Sequence, residues 1–136
     1  AEIVKAPKIF GFDTGFVAFA KGWESLRSDD CGVLWEHLVL ETLLEIFGGD
    51  SVNFWRDKQK RELDFVVPAR RGSVDVFEVK WAGEYFKPKS LRAFRDIYSM
   101  GRNFVIAADV VRHYQREMHG LMVEFIGVSD IEDYRS

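Results

Sequence analysis

The chain has a single cysteine, Cys31, so no internal disulfide can form, which excludes the disulfide-stapled class of small secreted domains. Histidine is nearly as scarce. His37, His113 and His119 are scattered along the sequence, and with one cysteine they make no zinc-finger spacing. No apolar run approaches the roughly 18 residues of a membrane span. The opening Ala1-Glu2-Ile3-Val4-Lys5 is no signal peptide. A reduced, cytoplasmic protein with no membrane contact is the reading that follows. Internal repeats, low-complexity tracts and convincing linkers are also absent, so residues 1–136 read as one domain. The first residue is not Met and a strand-like pattern begins almost at once, which reads as a piece cut from a longer protein.

What is present is an ordinary globular balance, with 47% hydrophobic and 30% charged residues. That excludes disorder and fibrous repeats. Twelve Phe, four Trp and four Tyr supply the material of a core. The net charge of -3 conceals an asymmetry: residues 56–102 carry 12 basic and 7 acidic side chains, whereas both flanks are acidic. A local excess of this kind attracts phosphate whatever the total charge, although a solvated face accounts for it as well.

Lys8–Phe12 reads as a short strand broken by the turn-like Asp13-Thr14-Gly15. Gly32–Phe47 reads as a helix capped by Ser28-Asp29-Asp30 and stopped by Gly48-Gly49. Strand-like runs follow at Val52–Trp55, Glu62–Val67 and Val74–Lys80. Ser90–Met100 predicts a second helix closed by Gly101. Asn103–Ala108 is apolar without alternation, the pattern of a strand buried on both faces. Leu121–Ile126 is a last strand, and Ser129-Asp130-Ile131-Glu132 resembles a helix start. The order α-β-β-β-α-β predicts an α/β (α+β) fold with a mixed central sheet flanked by helices.

Strand parity locates the chemistry. Glu62, Asp64 and Val66 should share one face, with Leu63, Phe65 and Val67 on the other. Val74, Val76, Glu78 and Lys80 lie together in the next strand. The link Pro68–Ser73 is short enough for a hairpin, and if Pro68 opposes Val74, Asp64 falls across from Glu78. Two carboxylates about 5 Å apart at Cβ repel unless a cation lies between them, and Mg²⁺ takes such oxygen ligands. In the first helix, Glu36 falls among Val33, Val39, Leu40, Leu43 and Phe47, with His37, Glu41 and Glu45 outside. An inward acid is costly unless paired or coordinated. A core acid bonded to a neighbouring group fits Glu36 as well as a functional one. With no cation present its carboxyl should be raised most. Trp55 and Trp81 flank these strands, where core or rim packing outweighs base stacking.

Glu36, then Asp64, then Glu78-Val79-Lys80 resembles the signature of the PD-(D/E)XK nuclease superfamily: a helix acid, a strand Asp and a Glu-x-Lys on the next strand. Pro7–Gly15, Leu34-Trp35-Glu36-His37-Leu38-Val39, Phe54-Trp55-Arg56-Asp57-Lys58, Arg61–Val66 and Phe77–Lys80 narrow the likeness. Together they resemble the largely uncharacterised C-terminal domain behind the P-loop ATPase module of bacterial and archaeal AAA-family ATPases. Leu63 stands where the superfamily name has Pro, and no Gly-x-x-x-x-Gly-Lys-Ser/Thr occurs in the chain.

The resemblance implies a restriction-endonuclease-like core, an N-terminal ATPase partner that would bind the ATP, and metal-dependent phosphodiester hydrolysis on nucleic acid, DNA before RNA. Asp64, Glu78 and the Val79 carbonyl would hold Mg²⁺ or Mn²⁺. Lys80 would orient or help deprotonate the attacking water and stabilise the developing negative charge, and Glu36 would contact a second ion or fix a metal-bound water. Arg92, Arg95, Ser99 and Arg102, at helical spacing, would track the nucleic-acid backbone or form a solvated helix face. The alternative is a non-catalytic module that binds nucleic acid or protein and regulates the ATPase.

Overall fold

The computed structural model describes residues 2–5 and 28–135, so the strand expected at Lys8–Phe12 and its turn lie outside the described residues. Among those residues, seven strands form one sheet in the order β1-β2-β3-β4-β5-β7-β6. They are β1 (Glu2–Lys5), β2 (Asn53–Arg56), β3 (Glu62–Pro68), β4 (Val74–Lys80), β5 (Asn103–Ala107), β6 (Tyr114–Met118) and β7 (Leu121–Ile126). The helices are α1 (Ser28–Phe47) and α2 (Lys89–Ile97), with a final 3₁₀ segment at Val128–Tyr134. Strands β4, β5 and β7 run parallel, and every other neighbouring pair is antiparallel. The expected α-β-β-β-α-β order and mixed sheet are therefore present.

The sheet separates two apolar layers. On one face Val39, Leu40 and Leu43 of α1 pack on Phe65, Val67, Phe77, Val79 and Ile106. On the other, Leu91 and Phe94 of α2 pack on Trp55, Val66, Val76 and Val105. All five residues of β5 are buried, as its unbroken apolar run predicts. α1 ends where expected: Gly48 takes φ +85° and its N–H donates to the Leu44 carbonyl, a left-handed cap that glycine adopts at little cost. Its described part reaches back to Ser28, four residues before Gly32, so Asp29 and Asp30, expected as caps, lie within the helix.

α2 stops at Ile97 rather than Met100. The chain from Tyr98 to Arg102 leaves the helix and wraps the Arg95 guanidinium, which takes the carbonyls of Tyr98 (3.1 Å), Met100 (3.0 Å) and Arg102 (2.9 Å). Arg95 also donates to the Val74 carbonyl and to Asn103 Oδ1, both at 2.8 Å. Among the described residues β1 is absent from the expected order, and so is β6. β6 is a polar sheet edge joined to β7 through His119-Gly120, both with positive φ, as a two-residue hairpin turn requires.

Candidate active site

The β3–β4 ladder runs from Pro68 opposite Val74 to Phe65 opposite Phe77, the register expected from the short hairpin. One step further, where Asp64 faces Glu78, side chains replace the backbone ladder. The Asp64 N–H donates to Glu78 Oε1 at 2.7 Å, and the Val79 N–H donates to Asp64 Oδ2 at 2.8 Å. Each acid thus bonds the backbone of the opposite strand. A bulge prepares this opening: Asn53 opposes Val66 and Trp55 opposes Leu63, so β3 advances three residues while β2 advances two. The extra residue also breaks the expected parity. Leu63 turns to the α2 face beside Trp55 and Val66, not to the face of Phe65 and Val67.

Glu36, Asp64, Glu78 and Lys80 form one electrostatic group. Burial pushes Glu78 up to about 8, with the Asp64 charge adding to it and Lys80 opposing it. Burial raises Asp64 too, against the Val79 N–H and the Lys80 ammonium, which lower it. Glu36 is raised first by the surrounding protein and then by Asp64, while His37 and Lys80 lower it. The strand acid Glu78, 7% exposed, therefore carries the strongly raised carboxyl that the sequence assigns to Glu36.

Glu36 itself is exposed. α1 turns its middle, Val39 to Leu43, onto the sheet and lets its first turns overhang a cleft of about 380 Å³. Glu36, His37, Arg56, Glu62 and Asp64 line that cleft, with Arg56 and Glu62 ion-paired at 2.8 Å at its mouth. His37, expected on the outer face, is therefore part of the site. Only its place beside Glu36 in sequence could have suggested this. Among the described residues no group of three or more His, Cys, Asp or Glu side chains is gathered closely enough to hold a metal ion. Cation ligation would rest on Asp64, Glu78 and backbone oxygen.

The arginines do not form the expected stripe. Arg95 is 2% exposed and all its bonds go to its own chain, so it has no donor for a phosphate. With α2 ending at Ile97, Arg102 is not on a helix; it pairs with Asp75 at 2.8 Å and donates to the Tyr134 carbonyl. Arg92 is half-buried, pairing with Asp96 and reaching the His119 carbonyl. Trp55 is fully buried in the core, edge-on to Phe94. Trp81, by contrast, is 42% exposed and stands edge-to-face with Trp35.

A mixed sheet flanked by two helices, with Glu36 and half-buried Asp64 lining a cleft and with buried Glu78 and also Lys80 coupled to them electrostatically, defines a small α/β domain with an acidic cleft. Residues 31–126 match the family described as "Domain of unknown function (DUF4143)", and the chain belongs to that family. Its members are commonly found C-terminal to AAA ATPases. No curated protein matches the chain. Among the described residues no helix is long and apolar enough to cross a membrane.

Proposed function

We propose that the domain is a nuclease-like partner of an ATPase module, hydrolysing phosphodiester bonds of nucleic acid, DNA before RNA, in the manner of PD-(D/E)XK enzymes. The observation that carries this reading is the reciprocal clamp of Asp64 and Glu78 at the point where β3 and β4 part. Burial and the Asp64 charge keep on Glu78 a proton that a divalent cation would displace. The donors are all oxygen, the chemistry that Mg²⁺ and Mn²⁺ take. Mg²⁺ keeps several waters, so Asp64, Glu78 and the Val79 carbonyl suffice as protein ligands. Such an ion supplies charge neutralisation at the scissile phosphate and a more acidic bound water.

The chain's own groups would divide the remaining work. Lys80, whose charge reaches all three acids, would orient the attacking water and offset negative charge as it develops. Glu36, open to the cleft, would accept a hydrogen bond from that water and hold it. The position of the family behind AAA ATPases supports an ATPase as the covalent neighbour.

Removing Lys80 tests the reading. Lys80→Ala should leave the melting curve unchanged and lower Mn²⁺-dependent nicking of plasmid or single-stranded DNA by about 10²-fold or more. Undiminished nicking in Lys80→Ala would sink the assignment. One observation favours a second reading, an inactive module that binds nucleic acid or protein and regulates the ATPase. Asp64 and Glu78 each already satisfy a backbone N–H, so the pair also serves to close the gap between strands. That reading expects no metal-dependent cleavage.

A further inference from the structure

Trp81 is a large apolar side chain left 42% exposed, yet it is held firmly. Its ring meets Trp35 at 6.3 Å between centroids and 81° between planes. Trp35 is in turn fixed to the end of β5 by its indole N–H, which donates to the Ile106 carbonyl at 3.1 Å. The Trp81 backbone is tied to the same place, its carbonyl accepting the Ala108 N–H at 3.2 Å. Whichever ring supplies the edge, Trp35 leaves at least one face of Trp81 uncovered. Trp81 follows Lys80 directly after the end of β4, and Trp35 is bonded to the neighbouring end of β5. The pair thus stands at the same end of the sheet as Asp64 and Lys80, beside the cleft rather than in its lining. Tyr85, Lys87 and Lys89, in the loop that follows Trp81 and at the start of α2, are exposed as well.

We infer that Trp81 is a stacking platform for an unpaired nucleobase, and that the cleft therefore takes single-stranded nucleic acid or a frayed end rather than the interior of a duplex. This rests on the reading of nucleic acid as the ligand of the cleft. Inside a duplex both faces of a base are covered by its neighbours, so only an unpaired or terminal base can lie on an indole. A braced ring loses little freedom on binding, which is why a fixed aromatic serves better here than a mobile one. The face is sequence-tolerant, because every base has a π surface.

Fluorescence anisotropy in EDTA, where no cutting intervenes, tests this with labelled oligo-dT and oligo-U of about twelve nucleotides and a blunt DNA duplex of that length. Trp81→Ala should weaken binding of the single strands by about 5- to 100-fold and weaken the blunt duplex, which bares a base face only at its two ends, distinctly less. Trp81→Phe should keep most of the affinity. Trp81→Leu, equally apolar but without a π face, should lose it, which guards against a folding defect in the alanine variant. Equal loss on strand and duplex, wild-type affinity in Trp81→Ala or Trp81→Leu, or no binding by the wild-type chain would each overturn the inference. Loss of oligo-U binding alone or oligo-dT binding alone would likewise overturn a sequence- and sugar-tolerant platform. The nuclease reading fails separately, on absent Mn²⁺-dependent cleavage, which these measurements do not involve.

Discussion

Glu78 keeps its proton far above the range of an exposed glutamate, and that has a consequence for stability. Its carboxyl sits near 8 in the folded chain against 4.5 for an ordinary one. Below about pH 4.5 both the folded and unfolded forms are protonated. Between 4.5 and about 8 the folded state holds a proton that the unfolded state has released, so stability falls as pH rises through that window. Asp64, also raised, acts in the same direction. In EDTA the melting temperature should therefore fall from pH 5 to pH 8, and Glu78→Gln should flatten the decline. A wild-type melting temperature that climbs over this range in scanning calorimetry would contradict the buried-acid account. Occupancy by Mg²⁺ would release the proton, so calorimetric titration should give tighter binding at higher pH. Asp64→Ala should abolish that binding.

The turn after α2 is built around one side chain. Arg95 reaches five oxygen atoms, and burial lowers its guanidinium to about 10, against the nearby Asp75 charge that raises it. Arg95→Met would leave several buried carbonyls without a donor and should cost about 3 kcal/mol or more. Arg95→Lys should recover only part, since an ammonium cannot span the same fork. Urea unfolding of both variants is the measurement, and a loss under about 1 kcal/mol would refute the hub. Gly101 belongs to the same turn: at φ +137° a side chain there would overlap the Val74 carbonyl. Gly101→Ala should accordingly lower yield and stability more than any surface change.

Why the sequence misreads Arg95 is physical. Arginines at 92 and 95 have the same spacing whether they face water or a ring of carbonyls, and only the path of the following loop decides. β6 was hidden for the opposite reason, since an exposed edge strand with Gln115, Arg116 and Glu117 has no buried face to impose alternation. The limits of β4 and β7, by contrast, are legible to the residue. The Asp64–Glu78 encounter was legible because a short hairpin fixes register. The β3 bulge was not, since one extra residue leaves no mark in residue type. The exposure of Glu36 depends on how α1 rolls on the sheet, and no helical periodicity contains that angle.

Strand direction sorts the basic residues of the middle third between two ends of the sheet. Asp64 opens β3 and Lys80 closes β4, so the β2–β3 turn with Lys58 and Lys60 lies at the cleft end. β5 runs parallel to β4 and ends beside Lys80. The loop carrying Trp81 and Lys87, and the start of α2 at Lys89, therefore also lie at that end. Arg70 and Arg71, in the β3–β4 turn, and Arg102, before β5, lie at the opposite one. The net charge of -3 is thus no bar to binding phosphate at one pole. Exposed Lys87 and Lys89, unlike Arg95, are free to contact a nucleic-acid backbone. Lys87→Ala with Lys89→Ala should weaken binding on every sequence alike and reduce the slope of log affinity against log salt by about 1.4 to 1.8, two phosphates' worth of released counterions. Arg70→Ala with Arg71→Ala changes the net charge equally and should leave that slope as it was. If both double variants shift the slope by the same amount, attraction is a property of total charge, and the cleft end is not where nucleic acid binds.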